Sequence, residues 1–197
     1  MSLASQPLSR RERNKQEKLA RITAAASELF ATHGVEDVTT QQIADRADIG
    51  AGTLFLYAKT KGELLLLVQN AHYAAALERG RADAASIPAP EDAVMAIVRP
   101  VIECNRAQVE NGRFYLREMA FGDPEEPRHR EALTIVAGTE QAVADVLARS
   151  GTMNAATLAR IVTSIMFVTM ASAANVDLGI DEIVDDVRAQ LDAILSR

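Results

Sequence analysis

Thr39, Tyr57 and Lys61 lie close together in the chain and share one chemistry: each can hold a phosphate oxygen. A threonine that opens a helix offers its hydroxyl beside free backbone N–H groups and the positive end of the helix dipole. A tyrosine donates a phenolic hydrogen, and a lysine places a compact ammonium. Nothing elsewhere points to catalysis. His33, His72 and His129 are scattered without metal-ligand spacing, and Cys104 is the one cysteine. There is no nucleophile–base set, phosphate loop or pair of carboxylates, so no enzyme, catalytic residue, metal or cofactor is expected.

Those three residues need elements to hold them. Thr39 is a good N-cap, and Ile43, Ala44 and Ala47 behind it form a short apolar stripe. Asp48-Ile49-Gly50 reads as a tight turn, Gly52 to Tyr57 as a second short helix, and Thr60 as the cap of a longer helix to about Ala85. Helix, short turn and second helix over about residues 39–59 is the geometry that sets a recognition helix in the major groove. Two short helices also occur as plain connectors, and spacing alone leaves both readings open. Ahead of them, residues 16–33 carry apolar positions at steps of three and four, closed by Gly34.

Charge separates along the chain. The 197 residues carry a net charge of −6, yet residues 1–21 hold six Lys/Arg against two Glu. Residues 66–197 hold twelve Arg against nineteen Asp/Glu, and no lysine follows Lys61. A basic head on an acidic body fits a head that meets a polyanion. The alternative is a solvated tail. On the first reading a flexible arm over 1–14, with Arg10, Arg11 and Arg13, tracks phosphates or enters a narrow A·T-rich minor groove.

The composition, 48% hydrophobic and 24% charged, suits one or two small domains and excludes a disordered or disulfide-built chain. Further helices are expected over about Glu91–Val109 (with Pro100 inside), Phe114–Phe121, Glu126–Ser150, Asn154–Val176, and from Asp181 onward. The fold class is therefore all-α, with about nine helices and no strand. Ile161 to Ala174 is apolar nearly all round, so its helix must be covered on every side, and it is too short to span a bilayer. With no secretory or membrane segment, a soluble cytoplasmic protein without membrane contact is expected.

The run from Ile22 to Gly34, then Thr39-Thr-Gln-Gln-Ile-Ala-Asp-Arg-Ala47, Gly52-Thr-Leu-Phe-Leu-Tyr57 and Lys61-Gly-Glu-Leu-Leu65 resembles the N-terminal domain of the tetracycline-repressor (TetR) family. The match covers about Lys15 to Ala76 without a gap. The resemblance implies a DNA-binding domain over 15–76 and a ligand-binding and dimerisation domain over 77–197. It implies a homodimer through the last two helices that binds a double-stranded operator, usually as a repressor, and answers to an unknown small, largely apolar ligand. The DNA contacts it implies are Thr39, Thr40, Gln41, Gln42, Ala51, Gly52, Thr53, Phe55, Leu56, Tyr57 and Lys61. The pocket it implies is walled by Val98, Ile102, Cys104, Phe114, Met119 and Phe121.

The chain also departs from the family pattern. Asp48 stands where glycine is usual, Gly50 where serine caps, and Ala51 where Lys or Arg is common. Phe55 replaces tyrosine, Leu56 a polar residue and Ala58 an aromatic. The recognition helix is therefore short of hydrogen-bonding base readers, and Gln41 and Gln42 are left to pair with adenine. Mainly A·T contacts are expected in each half-site. The rival reading is an all-helical binding or catalytic protein whose DNA reader has decayed.

Overall fold

The computed structural model describes residues 9–195, and among them the chain forms nine α-helices, one 3₁₀ turn and no strand. No helix there is long and apolar enough to cross a membrane. The described chain divides into two compact units that meet between Val68 and Gln69.

The first unit opens with α1, Arg10–Asp37. It starts well before residue 16 because Ser9 builds a full cap. Its hydroxyl accepts from Glu12 N at 3.2 Å, and its own N–H donates to Glu12 Oε2 at 2.9 Å. Arg10, Arg11 and Arg13 therefore stand on the exposed first turns of a helix rather than in a flexible arm. Residues 1–8 of that expected arm lie outside the described residues. Near the other end Gly34 takes φ 75° and ψ 161°, a break that glycine makes without Cβ strain, and one last turn follows.

Two short helices follow, α2 (Thr40–Arg46) and α3 (Ala51–Leu54), and then α4 (Lys61–Ala84) begins. Ile22, Ala26 and Phe30 of α1 are buried, as are Ile43 and Ala44 of α2, Leu54 of α3, and Leu64 and Leu65 of α4. Thr60 caps α4 by accepting from Glu63 N at 3.0 Å.

The second unit holds the rest of α4, α5 (Pro90–Arg106), α6 (Val109–Phe121), α7 (Pro127–Arg149), α8 (Ala155–Ala171) and α9 (Ile180–Leu195). α5 packs on α7 and α9, and α7 packs along α8. Pro100 is accommodated without ending α5. α6 starts earlier than Phe114 because Gln108 caps it, its side chain accepting from Asn111 N at 2.7 Å.

α8 ends at Ala171 rather than Val176, and the 3₁₀ turn Ala173–Asn175 follows. Two arginines from the α5–α6 elbow hold this connector. Arg106 Nη2 donates to the carbonyls of Asn175, Val176 and Leu178 at 3.1, 3.2 and 2.5 Å. Arg113 Nη1 donates to those of Ala171 and Ser172, both at 2.9 Å. Five carbonyls that leave regular helix bonding are thereby satisfied. Within this single chain Ile161 and Val168 of α8 remain exposed.

Gly80 marks the tightest crossing of α4 over α5. A Cβ there would lie 2.8 Å from Ala96 O and from Ile97 Cα, both backbone atoms that cannot swing aside. Gly80→Ala is expected to destabilise by about 1–3 kcal/mol through overpacking. Gly52→Ala, where nothing lies within 4 Å of the added Cβ, is the matched control. Thermal unfolding of the two variants checks this: the midpoint falls by several degrees for the first and holds for the second.

Candidate nucleic-acid interface

The motif over 39–59 is built from local bonds and one buried seam. Thr39 and Gln42 form a capping box. Gln42 N donates to Thr39 Oγ1 at 3.2 Å, and Thr39 N and Oγ1 donate to Gln42 Oε1 at 2.7 and 2.9 Å. The turn passes through Asp48 at φ 53°, the left-handed region that Asp enters more readily than most residues. Ile49 N donates to Ala44 O at 3.0 Å and closes it. Gly50 opens α3 at φ −70° and ψ 144° with no side-chain cap.

α3 has only four residues, shorter than the expected Gly52–Tyr57. Beyond Leu54 the bonds tighten to the i→i−3 pattern. Leu56 N donates to Thr53 O at 3.1 Å and Tyr57 N to Leu54 O at 2.9 Å. Leu54 is wholly buried and Ala58 nearly so, which turns Phe55 and Leu56 outward at 47% and 83% exposure. Gly52 is exposed, while Ala51, Thr53 and Tyr57 are half-buried.

Several expected DNA contacts already have partners within the chain. Gln41 Nε2 donates to Asp45 Oδ1 at 2.7 Å. Gln42 Oε1 is held in the cap, and one of the two Nε2 hydrogens of Gln41 is spent on Asp45, so a bidentate pairing of Gln42 with adenine would break a local bond. Thr40 is half-buried beside them. Lys61 Nζ donates to Glu36 O at 2.8 Å, at the negative end of α1, which leaves two of its three N–H groups for a phosphate. Arg46 grips Glu28 with both arms of its fork, Nε to Oε2 at 3.0 Å and Nη2 to Oε1 at 2.5 Å. Both partners are exposed, so solvent screens the pair.

The long α1 adds Lys15 and Lys18, which were not singled out, to Arg11, which was. Arg11, Lys15 and Lys18 are all exposed, at steps of four and three, and so share one helix face. The charge run was visible in the sequence. The earlier helix start, which gives the run its face, was not.

The six expected pocket residues differ in burial. Val98 and Ile102 are fully buried in α5, and Cys104, Phe114 and Met119 are half-buried. Phe121 is 87% exposed, because it is the last residue of α6 and points off the helix end. A cleft of about 250 Å³ lies between α4, α5 and α7, lined by Arg81, Ala84, Ile97, Asp145, Val146 and Arg149 among others.

The interior also holds a polar chain. Buried Tyr115 donates its phenol to Asn70 Oδ1 at 2.8 Å, and Asn70 Nδ2 donates to Arg128 O at 2.9 Å. Thr139 Oγ1 reaches Tyr73 OH at 3.3 Å, and the two tyrosine rings meet edge-on at 6.3 Å. Burial pushes the Tyr73 phenol up to about 12 and the Cys104 thiol up to about 11. Among the described residues no group of three or more His, Cys, Asp or Glu could hold a metal ion.

A capped α2, a closed turn and an α3 anchored by one leucine form a helix-turn-helix unit. Residues 22–68 match the family model described as bacterial regulatory proteins, tetR family. No curated protein matches the chain. Solved structures share its fold. A TetR transcriptional regulator from Rhodococcus sp. RHA1 is 19% identical over 92% of this chain and 97% of its own, with a TM-score of 0.70. FadR of Thermus thermophilus, a TetR-family repressor solved with lauroyl-CoA, is 20% identical over 90% and 93%, at 0.71. FadR of Bacillus subtilis, solved with stearoyl-CoA, is 16% identical over 87% and 96%, at 0.65. Over residues 22–68 the chain is similar to the tetR family of bacterial regulatory proteins, and over most of its length it shares the fold of these solved structures.

The thiol gives a direct check on the second unit. A thiol raised to about 11 stays protonated at neutral pH, and only the thiolate reacts. Alkylation of Cys104 by iodoacetamide is expected to be slow at pH 8 and to climb only as pH nears 11. In urea it should follow an ordinary cysteine near 8.5. Equal rates in the folded and unfolded protein would contradict the burial.

Proposed function

We propose that the chain is a repressor that binds a double-stranded operator as a homodimer and is released by a small, largely apolar ligand held in the second unit. The observation that carries this is the coincidence of the matched segment 22–68 with a helix-turn-helix whose seam is buried and whose α3 surface is open. Thr39, Tyr57 and Lys61, with the basic face of α1, then hold phosphates, and the α3 surface faces the bases. Residues 15–76 act as the DNA-binding domain and 77–197 as the ligand-binding and dimerisation domain. The reading assigns no catalytic step and places the protein in the cytoplasm, where its operator is.

Dimerisation has a physical motive in α8. Ile161 and Val168 lie two helical turns apart on one exposed line, and a second copy of α8 would cover it. Asp185, Asp186 and Asp192 on the exposed side of α9 would repel their copies, so the apolar line of α8 must sit at the centre of that contact. The two FadR structures with acyl-CoA ligands support an apolar ligand for the second unit. α4 runs unbroken from one unit into the next and is the element through which a ligand would act.

Two measurements test this reading. In a gel shift with the protein's own upstream DNA, Lys61→Ala is expected to weaken binding to all sequences about equally and to reduce the salt slope by roughly one. A changed sequence preference at an unchanged slope would remove Lys61 from the phosphates. For the ligand, whichever compound lowers operator affinity must itself lose affinity by the same factor when operator is saturating. Ligand binding indifferent to operator would break the coupling.

A further inference from the structure

Single exposed apolar side chains are ordinary on protein surfaces. Phe55 and Leu56 differ because they are adjacent, large, and placed on the second helix of the helix-turn-helix, the segment that the proposed function sets in the major groove. The polar alternatives around them are spent or missing. Ala51 and Gly52 carry no polar side chain, Thr53 is half-buried, and no Arg or Lys lies between Gly50 and Tyr57. The forks and amides that could swing in are held by Glu28, Asp45 and Thr39. What the α3 surface offers the major groove is therefore hydrocarbon.

The major groove offers one hydrocarbon group in return, the C5-methyl of thymine. We propose that Leu56, with Phe55 beside it, reads that methyl, so that removal of a methyl from water sets the preferred base in place of a hydrogen bond to a base edge. This rests on the DNA-binding reading and deepens it. The specificity has an unusual form. A methyl-reading surface responds to the C5-methyl whichever pyrimidine carries it, whereas a donor aimed at thymine O4 or a glutamine on adenine does not. 5-Methylcytosine at the same position would be accepted in place of thymine, and unmethylated cytosine would not.

The experiment uses full-length protein and operators selected from random DNA. Thymines of each half-site are replaced singly by deoxyuridine, which deletes the methyl and keeps every Watson–Crick group. Deoxyuridine at one or two positions per half-site is expected to weaken binding about fourfold each, the loss of one buried methyl. Leu56→Ala should bind the thymine and deoxyuridine operators alike, and its 83% exposure means the fold does not depend on it. At the same positions, cytosine should bind more weakly than 5-methylcytosine in the wild-type protein only. Tight operator binding that ignores every deoxyuridine replacement overturns the inference and leaves the DNA-binding reading intact. A deoxyuridine penalty that persists unchanged in both Leu56→Ala and Phe55→Ala assigns the methyl to another residue and also overturns it. Failure to select any sequence overturns both readings together.

Discussion

Leu54 is the side chain on which the α3 surface depends. A four-residue helix has no stability of its own, because nucleation fixes several dihedrals for a single hydrogen bond. α3 exists because Leu54 is wholly buried in a unit whose other buried residues include Ile22, Ile43, Ala44 and Leu65. The same burial fixes the rotation of the segment. With Leu54 and Ala58 turned in, Phe55 and Leu56 have no choice but to turn out. Presentation of the surface and stability of the unit are one event.

The second unit solves a different problem. Its helices are long enough to stand on packing, and its difficulty is the polar groups that packing would strand. The Tyr115–Asn70 chain and the two elbow arginines answer that by pairing buried donors with acceptors from distant elements. The result is a unit in which Val98 and Ile102 are buried while Ile161 and Val168 stay exposed.

Much of this was legible in the sequence because it is local. Thr39 and Thr60 as caps and Asp48 as a left-handed turn residue each follow from short-range backbone chemistry and are found in place, while Gly34 breaks α1 one turn before its end instead of stopping it. What was not legible depends on partners far along the chain or on a single cap. The early start of α1 turns on Ser9 and Glu12, which resemble a polar run until a helix is drawn through them. The occupied amides of Gln41 and Gln42 cannot be read from residue type, which says only what a side chain can bond. The outward turn of Phe121 follows from α6 ending on it, and element ends are where periodicity says least.

The arginine-held connector orders events in time as well as in space. Arg106 reaches carbonyls 69 to 72 residues further along the chain, and Arg113 reaches 58 and 59. As the chain is synthesised, the elbow between α5 and α6 is made long before the carbonyls it will hold. Until they arrive, two guanidiniums remain in water and the apolar faces of α5 and α6 lack their α8 and α9 cover. The first unit is free of this delay, because the bonds that shape its motif span a few residues each. One half of the protein can mature as it emerges, while the other waits for nearly the whole chain.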